Sequence, residues 1–554
     1  MCNSCQTSSS LDYGGFQAGA DFSRLNVGGY NIHFGATAGY AESSGFSSTR
    51  NSTNSSINPE PIRSNFQVPF VGAYAVVTKD RTFADFQTRW DFFQGNISNS
   101  TFGLNNQPLN ARAFSFIANV GHQIPITSDW FVEPSAGIIY SRVGVDRLSS
   151  FGSYGNIYAQ IPGPAKNAAP FTARISDFDS ILGRLSLRVG TNIKSGDVLL
   201  QPYFTGSVYH EFGDAITTNV VTDIGLATAN GGPRFVDGVG TIRSNRIGTY
   251  GQVALGLAGQ ILNTGWQGYV RGDYRIGDHI ESFGASAGIR YSFNPEPSAV
   301  RTVKSEDGGL FAITSEEVNW TGVTVGGSVG AVWDFTRLAF PTGGSLTQPS
   351  DTTTYPYSLS SAPIARPRAA GLIVGGGIGA NYQFGKWVVG VEGDASWVNA
   401  QGGRACPNRV YYSCKTQIDM LSFVTGRVGY AWGRTLFYGK GGLAIADVAD
   451  SFQQNNTFGL PLTSLAYKPV GNGSARATVL GWALGAGFEV ALTNKWSAKA
   501  EYLHYDLEAN RAAYNVAGVV SRNERNGDLV RIGLNYRFGS APVVASAAPI
   551  VAKY

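Results

Sequence analysis

Residues 530–538 set Val530, Ile532, Leu534, Tyr536 and Phe538 on one side of an extended chain and Arg531, Gly533, Asn535 and Arg537 on the other. That period of two is the pleat of a strand with one apolar and one polar face. A soluble sheet could use such a strand, so the decisive feature is its recurrence far upstream. There Phe283, Ala285, Ala287, Ile289, Tyr291 and Phe293 alternate with Ser282, Gly284, Ser286, Gly288, Arg290 and Ser292. Each run ends a long series of alternating segments, so the chain reads as two closing strands and therefore two barrels, divided near residue 295.

Composition removes the competing classes. No apolar run reaches the roughly 18 residues a spanning helix needs, which excludes a helical membrane protein. A barrel escapes that test, because only every second residue must be apolar and the backbone is satisfied between strands. The low charged fraction, 14%, with 71 glycines, fits neither an ordinary cytosolic enzyme nor a disordered chain. A net charge of +4 without a Lys/Arg cluster argues against a nucleic-acid partner. Cys2 and Cys5 form a lone C-x-x-C with no second pair or nearby His, so no metal or cofactor is expected. Cys406 and Cys414 sit in a polar stretch between two strands, where an oxidising exterior favours a small loop disulfide. Residues 3–10 are polar and carry neither a basic n-region nor an apolar h-region, so an export signal is expected upstream of Met1.

In order, the first half offers segments 16–24, 31–40, 67–77, 82–93, 111–123, 130–142, 181–192, 198–212, 248–261, 266–276 and 282–293. The joins alternate, tight at 79–80, 128–129, 194–197 and 263–264 and long and polar at 41–65, 95–110, 145–174 and 213–244. Short periplasmic turns against long external loops are the asymmetry of an outer-membrane barrel. Eleven antiparallel strands cannot close a ring without a parallel contact, so an opening strand is expected to be missing and the count to be eleven or twelve. Inward Arg89, Arg184, Arg188, Arg271, Arg275 and Arg290 outnumber Asp85, Asp91 and Asp273, which predicts a weak anion preference. Residues 294–319, with Pro295 and Pro297, read as a periplasmic linker. The second half offers eight strands at 320–333, 371–384, 386–398, 421–432, 435–448, 477–492, 496–507 and 529–538, enough to close a small barrel. An Ala/Pro-rich tail, 539–554, follows. The fold class expected is all-β, two tandem antiparallel transmembrane β-barrels.

Several motifs add a resemblance. Gln17-Ala18-Gly19-Ala20-Asp21, Val132-Glu133-Pro134, Gln201-Pro202-Tyr203 and the ending Gly288 to Phe293 resemble the translocator barrel of autotransporters over residues 14–293. Trp320-Thr321-Gly322, Gly390-Val391-Glu392-Gly393-Asp394, Gly426-Arg427-Val428-Gly429-Tyr430, Tyr438-Gly439-Lys440-Gly441-Gly442 and Lys499-Ala500-Glu501-Tyr502-Leu503 resemble the eight-stranded porin-family surface antigens of Gram-negative bacteria over residues 320–538. The two endings also resemble the signal that hands such barrels to their assembly machinery, on Ser286, Gly288, Tyr291 and Phe293 and again on Arg531, Gly533, Tyr536 and Phe538. The resemblance implies the outer membrane as location, with membrane lipids, the assembly machinery and periplasmic chaperones as partners.

The inner phase of the second barrel carries Glu392, Asp394, Arg427, Lys440, Glu489, Lys499, Glu501, Arg531 and Arg537, with carboxylates and cations in near balance. In a lumen too narrow to be empty this reads as a structural ion-pair network and not as acid/base machinery. His210 beside Glu211, and His504 two residues from Asp506, are read as non-catalytic. The glycine runs 375–379 and 439–442 lie within strands, with no following helix to make a phosphate loop. The function expected is a structural surface protein with passive permeation at most. The alternatives are a secretion translocator that has lost its passenger and, less favoured, a barrel enzyme.

Overall fold

The computed structural model describes residues 5–51, 61–99, 104–153, 168–227, 233–244, 246–262, 264–292, 318–347, 354–358, 363–406, 409–454, 472–515 and 519–538. Cys2, Phe293, nearly all of the linker 294–319 and the tail 539–554 lie outside the described residues.

Eleven strands form the first wall: β1 (Cys5–Val27), β2 (Tyr30–Asn51), β3 (Ile62–Lys79), β4 (Thr82–Asn99), β5 (Leu104–His122), β6 (Trp130–Val145), β7 (Phe178–Thr191), β8 (Val198–Glu211), β9 (Thr249–Ile261), β10 (Trp266–Gly277) and β11 (Ile280–Tyr291). Each pairs antiparallel with the next, and among the described residues β1 and β11 do not pair. An odd count of antiparallel strands leaves those two running in the same direction, so their edges cannot form an antiparallel ladder. A side-chain contact spans the seam instead: Arg290 Nη2 of β11 lies 2.5 Å from Asp21 Oδ2 of β1.

The second wall closes. It consists of β12 (Gly322–Ala339), β13 (Arg368–Phe384), β14 (Trp387–Cys406), β15 (Arg409–Trp432), β16 (Thr435–Gln454), β17 (Gly473–Ala491), β18 (Trp496–Ala513) and β19 (Val520–Phe538). Seventeen paired positions, from Val323 opposite Phe538 to Ala339 opposite Arg522, join the first of these strands to the last. The tight joins at Gly385 and Gly433 take φ of 60° and 59°, which a residue without Cβ adopts freely. The glycine runs 375–379 and 439–442 lie inside β13 and β16.

Several expected external loops are strand. β2 runs on to Asn51, and β14 and β15 continue to Cys406 and Arg409 through the stretch read as the loop 399–420. Within 145–174 and 213–244 the chain builds a separate four-stranded sheet from Leu148–Ser153, Ala168–Ile175, Ile216–Ala227 and Pro233–Ser244. Beyond the hydrocarbon, strands need backbone pairing but no apolar outer phase, so alternation stops marking them while the ladder continues.

The two outer walls meet. Trp333 of β12 packs on Phe92 of β4 with ring centroids 4.8 Å apart. Ala331, Ala370 and Val530 of the second wall cluster there with Val71 of the first. Lipid-exposed walls gain little hydrophobic energy from contact, so close packing over small side chains carries such an interface, and Ala331 and Ala370 are both fully buried. Further up, Asn110 Nδ2 donates to the Gly403 carbonyl at 3.1 Å. A Cβ on Gly403 would come within 3.0 Å of Pro108, so the walls touch closely there as well.

Refolded separately in detergent, residues 1–293 and 320–538 are each expected to show heat-modifiable migration and strand-dominated circular dichroism. Refolded together they should co-elute, and Ala331→Trp, which forces a ring into the fully buried contact, should separate them without unfolding either.

Candidate functional site

The lumen of the second barrel is built in layers. At its base Trp320, Val388, Leu436, Tyr438 and Ala491 pack together. Above them lies the charge network. Glu392 takes Lys499 at 2.6 Å and Lys440 at 3.5 Å. Glu501 takes Lys440 at 2.9 Å and also contacts Arg531, whose two terminal nitrogens each donate to Asp394 at 2.8 Å. Arg427 pairs with Glu489 at 3.1 Å and donates through Nε to Asn381 at 2.7 Å. Tyr438 donates to Glu501 at 3.1 Å, and Asn535 donates to Glu489 at 3.0 Å.

Of the nine charged residues singled out in the sequence, the structure brings eight into ion pairs. Arg537 stands apart: it donates to the Asn319 carbonyl at 3.0 Å and lies over the Trp320 ring, 4.6 Å from its centroid. The pairing follows from register. β18 sets Lys499 and Glu501 on one inward phase, and β19 sets Arg531 directly opposite Glu501. The Arg531 and Glu501 side chains are 1% and 0% exposed, so each charge depends on its partners for what water would have supplied.

Alternation did not disclose what lies above. An apolar layer of Val332, Ile373, Leu421, Phe423, Leu503 and Leu529 fills the lumen where a polar inner face was expected. Over it sits a second polar layer. Tyr505 donates to Asp334 at 3.1 Å, and Asp450 holds Arg525 and, at 2.5 Å, Asn523. Asp450, Arg525 and Asn523 fall in stretches read as loops, so no periodic signal could have placed them. Cys406 and Cys414 are disulfide-bonded with Cα atoms 5.0 Å apart, across the paired ends of β14 and β15 and not in a free loop. They pack with Tyr412, Phe452 and Tyr514 to cap the barrel.

The first lumen is different. Arg188 meets Glu133 at 3.3 Å, Arg275 meets Asp273 at 3.3 Å, and Asn119 joins Asp85 at 2.8 Å to Arg184 at 2.7 Å. Arg89 and Arg290 remain 40% and 49% exposed, so these pairs line a wet surface. Asp21, Glu133 and Glu211 share the inner phase with the three aspartates counted from sequence. Six carboxylates thus face six arginines, and the expected anion preference loses its basis.

The two histidines singled out in the sequence are accounted for. His504 Nδ1 lies 2.9 Å from Asp528 on the neighbouring strand, and not on Asp506, while Trp482 packs on its ring. His210 faces Thr249 Oγ1 at 2.7 Å, whereas Glu211 accepts from Ser180 and the Ile181 amide on the opposite side of the strand. Among the described residues no cluster of three His, Cys, Asp or Glu could hold a metal. Ser286, Gly288 and Tyr291 lie in β11, while Arg531, Gly533, Tyr536 and Phe538 lie in β19. In each strand the tyrosine packs on the tryptophan that opens the strand before it, Tyr291 on Trp266 at 4.9 Å and Tyr536 on Trp496 at 5.1 Å.

Residues 3–273 match the family described as autotransporter beta-domain, and residues 308–538 match the outer membrane protein beta-barrel domain. The 31 kDa outer-membrane immunogenic protein of Brucella melitensis biotype 1 is 28% identical over 255 residues, covering 46% of this chain and 98% of that protein. The 25 kDa outer-membrane immunogenic protein of Brucella canis is 28% identical over 160 residues, covering 29% of this chain and 62% of that protein. Among solved structures, the beta domain of the Bordetella autotransporter BrkA is 18% identical with a TM-score of 0.35, covering 52% of this chain and 95% of that one. The transport unit of AIDA-I from Escherichia coli is 16% identical with a TM-score of 0.36, covering 52% and 84%. Neither of these two is close enough to bear on function.

Arg531→Met leaves Asp394 without its bidentate partner and Glu501 short of one cation. It is expected to cost about 3–5 kcal/mol in reversible urea unfolding in lipid or detergent. Arg537→Met, which breaks no ion pair among the described residues, should cost markedly less.

Proposed function

From a chain that joins an autotransporter-type β-domain to an outer-membrane β-barrel domain, we propose a structural surface protein of the outer membrane whose first barrel passes small solutes and whose second does not. The observation that carries this reading is the contrast between the two lumens: charged side chains are buried and fully packed in one and partly exposed in the other. In this reading the long connections face outward, while the linker and tail are periplasmic. The assembly machinery reads the β11 and β19 endings, and no residue is catalytic. Permeation carries no strong charge preference, because inward carboxylates balance the arginines.

The open seam belongs to the same proposal. Unpaired backbone groups on β1 and β11 would face hydrocarbon, where each is costly, and one more strand running antiparallel to both would satisfy them. In protein extracted from its native membrane, edge amides of β1 and β11 are expected to exchange as slowly as those of β3. Rapid exchange confined to those two strands would show the seam to be open.

In a planar bilayer, residues 320–538 alone should give no steady conductance, whereas the full chain should pass small ions of both signs. Steady channels from the second half, or a silent full chain, would overturn the assignment. A second reading, a secretion translocator, rests on the family match of residues 3–273. A passenger segment fused ahead of residue 5 that crosslinks to lumen positions such as Arg184 on its way to the cell surface would favour it.

A further inference from the structure

Above the apolar contact between the two walls the barrels diverge and leave a cleft of about 630 Å³, within the range of roughly 300–1,000 Å³ common for small-ligand sites. Its sides come from both halves of the chain. Gln67 and Gln94 project from β3 and β4, and Gln401, Gln417 and Gln453 from β14, β15 and β16. These side chains stand on the outer phase of each wall; Gln67 and Gln94 continue upward the phases that carry Val71 and Phe92, and Gln401 stands opposite Ala370. Amides replace apolar residues there, so this part of the wall is not built for acyl chains.

Two observations point to a ligand. Gln94 is only 9% exposed, and its Oε1 and that of Gln67 are buried with no hydrogen-bond partner, although both residues line the cleft. Both oxygens are enclosed in this conformation, so a donor in the cleft reaches them once the carboxamides turn outward, and an acceptor left unpaired favours that turn. The charge is also informative: Lys415 is the only cation among the lining residues, against Asp12 and Glu42, and it already donates to Gln453 at 3.3 Å. Burial pushes the Lys415 ammonium below its ordinary range. A phosphate would find one partly satisfied lysine and two carboxylates, whereas a hydroxyl group both donates and accepts and so matches a carboxamide.

The height of the cleft narrows the source. Gln67 lies twelve residues along β3 from Lys79, beside the tight turn, which for a tilted strand places it roughly 30 Å away, about one hydrocarbon thickness. The cleft therefore opens at the level of the headgroups on the side of the long connections. We propose that it binds a neutral saccharide, either free or as the headgroup of a membrane glycolipid, held by amides contributed by both barrels.

The test uses the full chain in nanodiscs. In plain phosphatidylcholine discs a neutral gluco-oligosaccharide is titrated by calorimetry; in a second set, discs carry a neutral glycosyl diacylglycerol and the change in exchange of the Gln67 and Gln94 amide groups is followed by NMR. Binding in the first set identifies a free glycan, and a response only in the second identifies a headgroup. In either case Gln67→Leu/Gln94→Leu should weaken binding at least tenfold while heat-modifiable migration stays unchanged. Gln401→Leu, on the other barrel, should weaken it too and serves as the arm should the double variant fail to fold. No response to either probe, equal binding by the variants, or binding of inorganic phosphate in preference to the sugars would each overturn the proposal.

Discussion

Hydrocarbon offers the backbone no hydrogen-bond partner, and everything else in this chain depends on how that demand is met. The second half meets it outright: β12 and β19 pair over seventeen positions and leave no edge. The first half meets it over ten strand pairs and then stops, with β1 and β11 parallel, unpaired among the described residues and bridged by Arg290 and Asp21. One sheet has become a ring and the other a ring with a slit, although both are written in the same alternating residues.

Closure also decides what the interior can do. Eight strands draw the wall so tight that inward side chains must fill the space, and a charge placed there has to be neutralised within the barrel. Register performs that neutralisation, because Glu501 stands opposite Arg531 and Glu489 opposite Lys499 before any side chain chooses a rotamer. Eleven strands enclose a wider space, and the same residue types keep part of their hydration. Arginine therefore serves as internal mortar in one half and as a wetted lining in the other.

Much of this was legible in the sequence wherever hydrocarbon imposes alternation. The nineteen wall strands and the inward phase of Asp85, Arg89, Arg271 and Lys499 all followed from it. What escaped lies where that constraint ends. Strands such as β14 and β15 continue past the bilayer with polar residues on both faces, so a reader of periodicity stops at 398 and restarts at 421. The layer of Phe423, Leu421 and Leu503 escaped for a related reason: an inner face is polar only where water or a charge partner reaches it, and a filled small barrel can stack apolar layers as a soluble core does. Glu133 and Asp21 were missed as lumen carboxylates because counting charges strand by strand ignores what the neighbouring strand brings to the same height.

The contact of Trp333 and Ala331 with Phe92 and Val71 has a mechanical side. A lone barrel tilts to suit the thickness of the bilayer around it, and two barrels on a free tether would do so separately. Welded along their walls, they must settle on one shared tilt and displace one shared ring of lipid. A change in membrane thickness then acts on the pair as a shear across the weld, so the docked faces carry a load that neither barrel would feel alone.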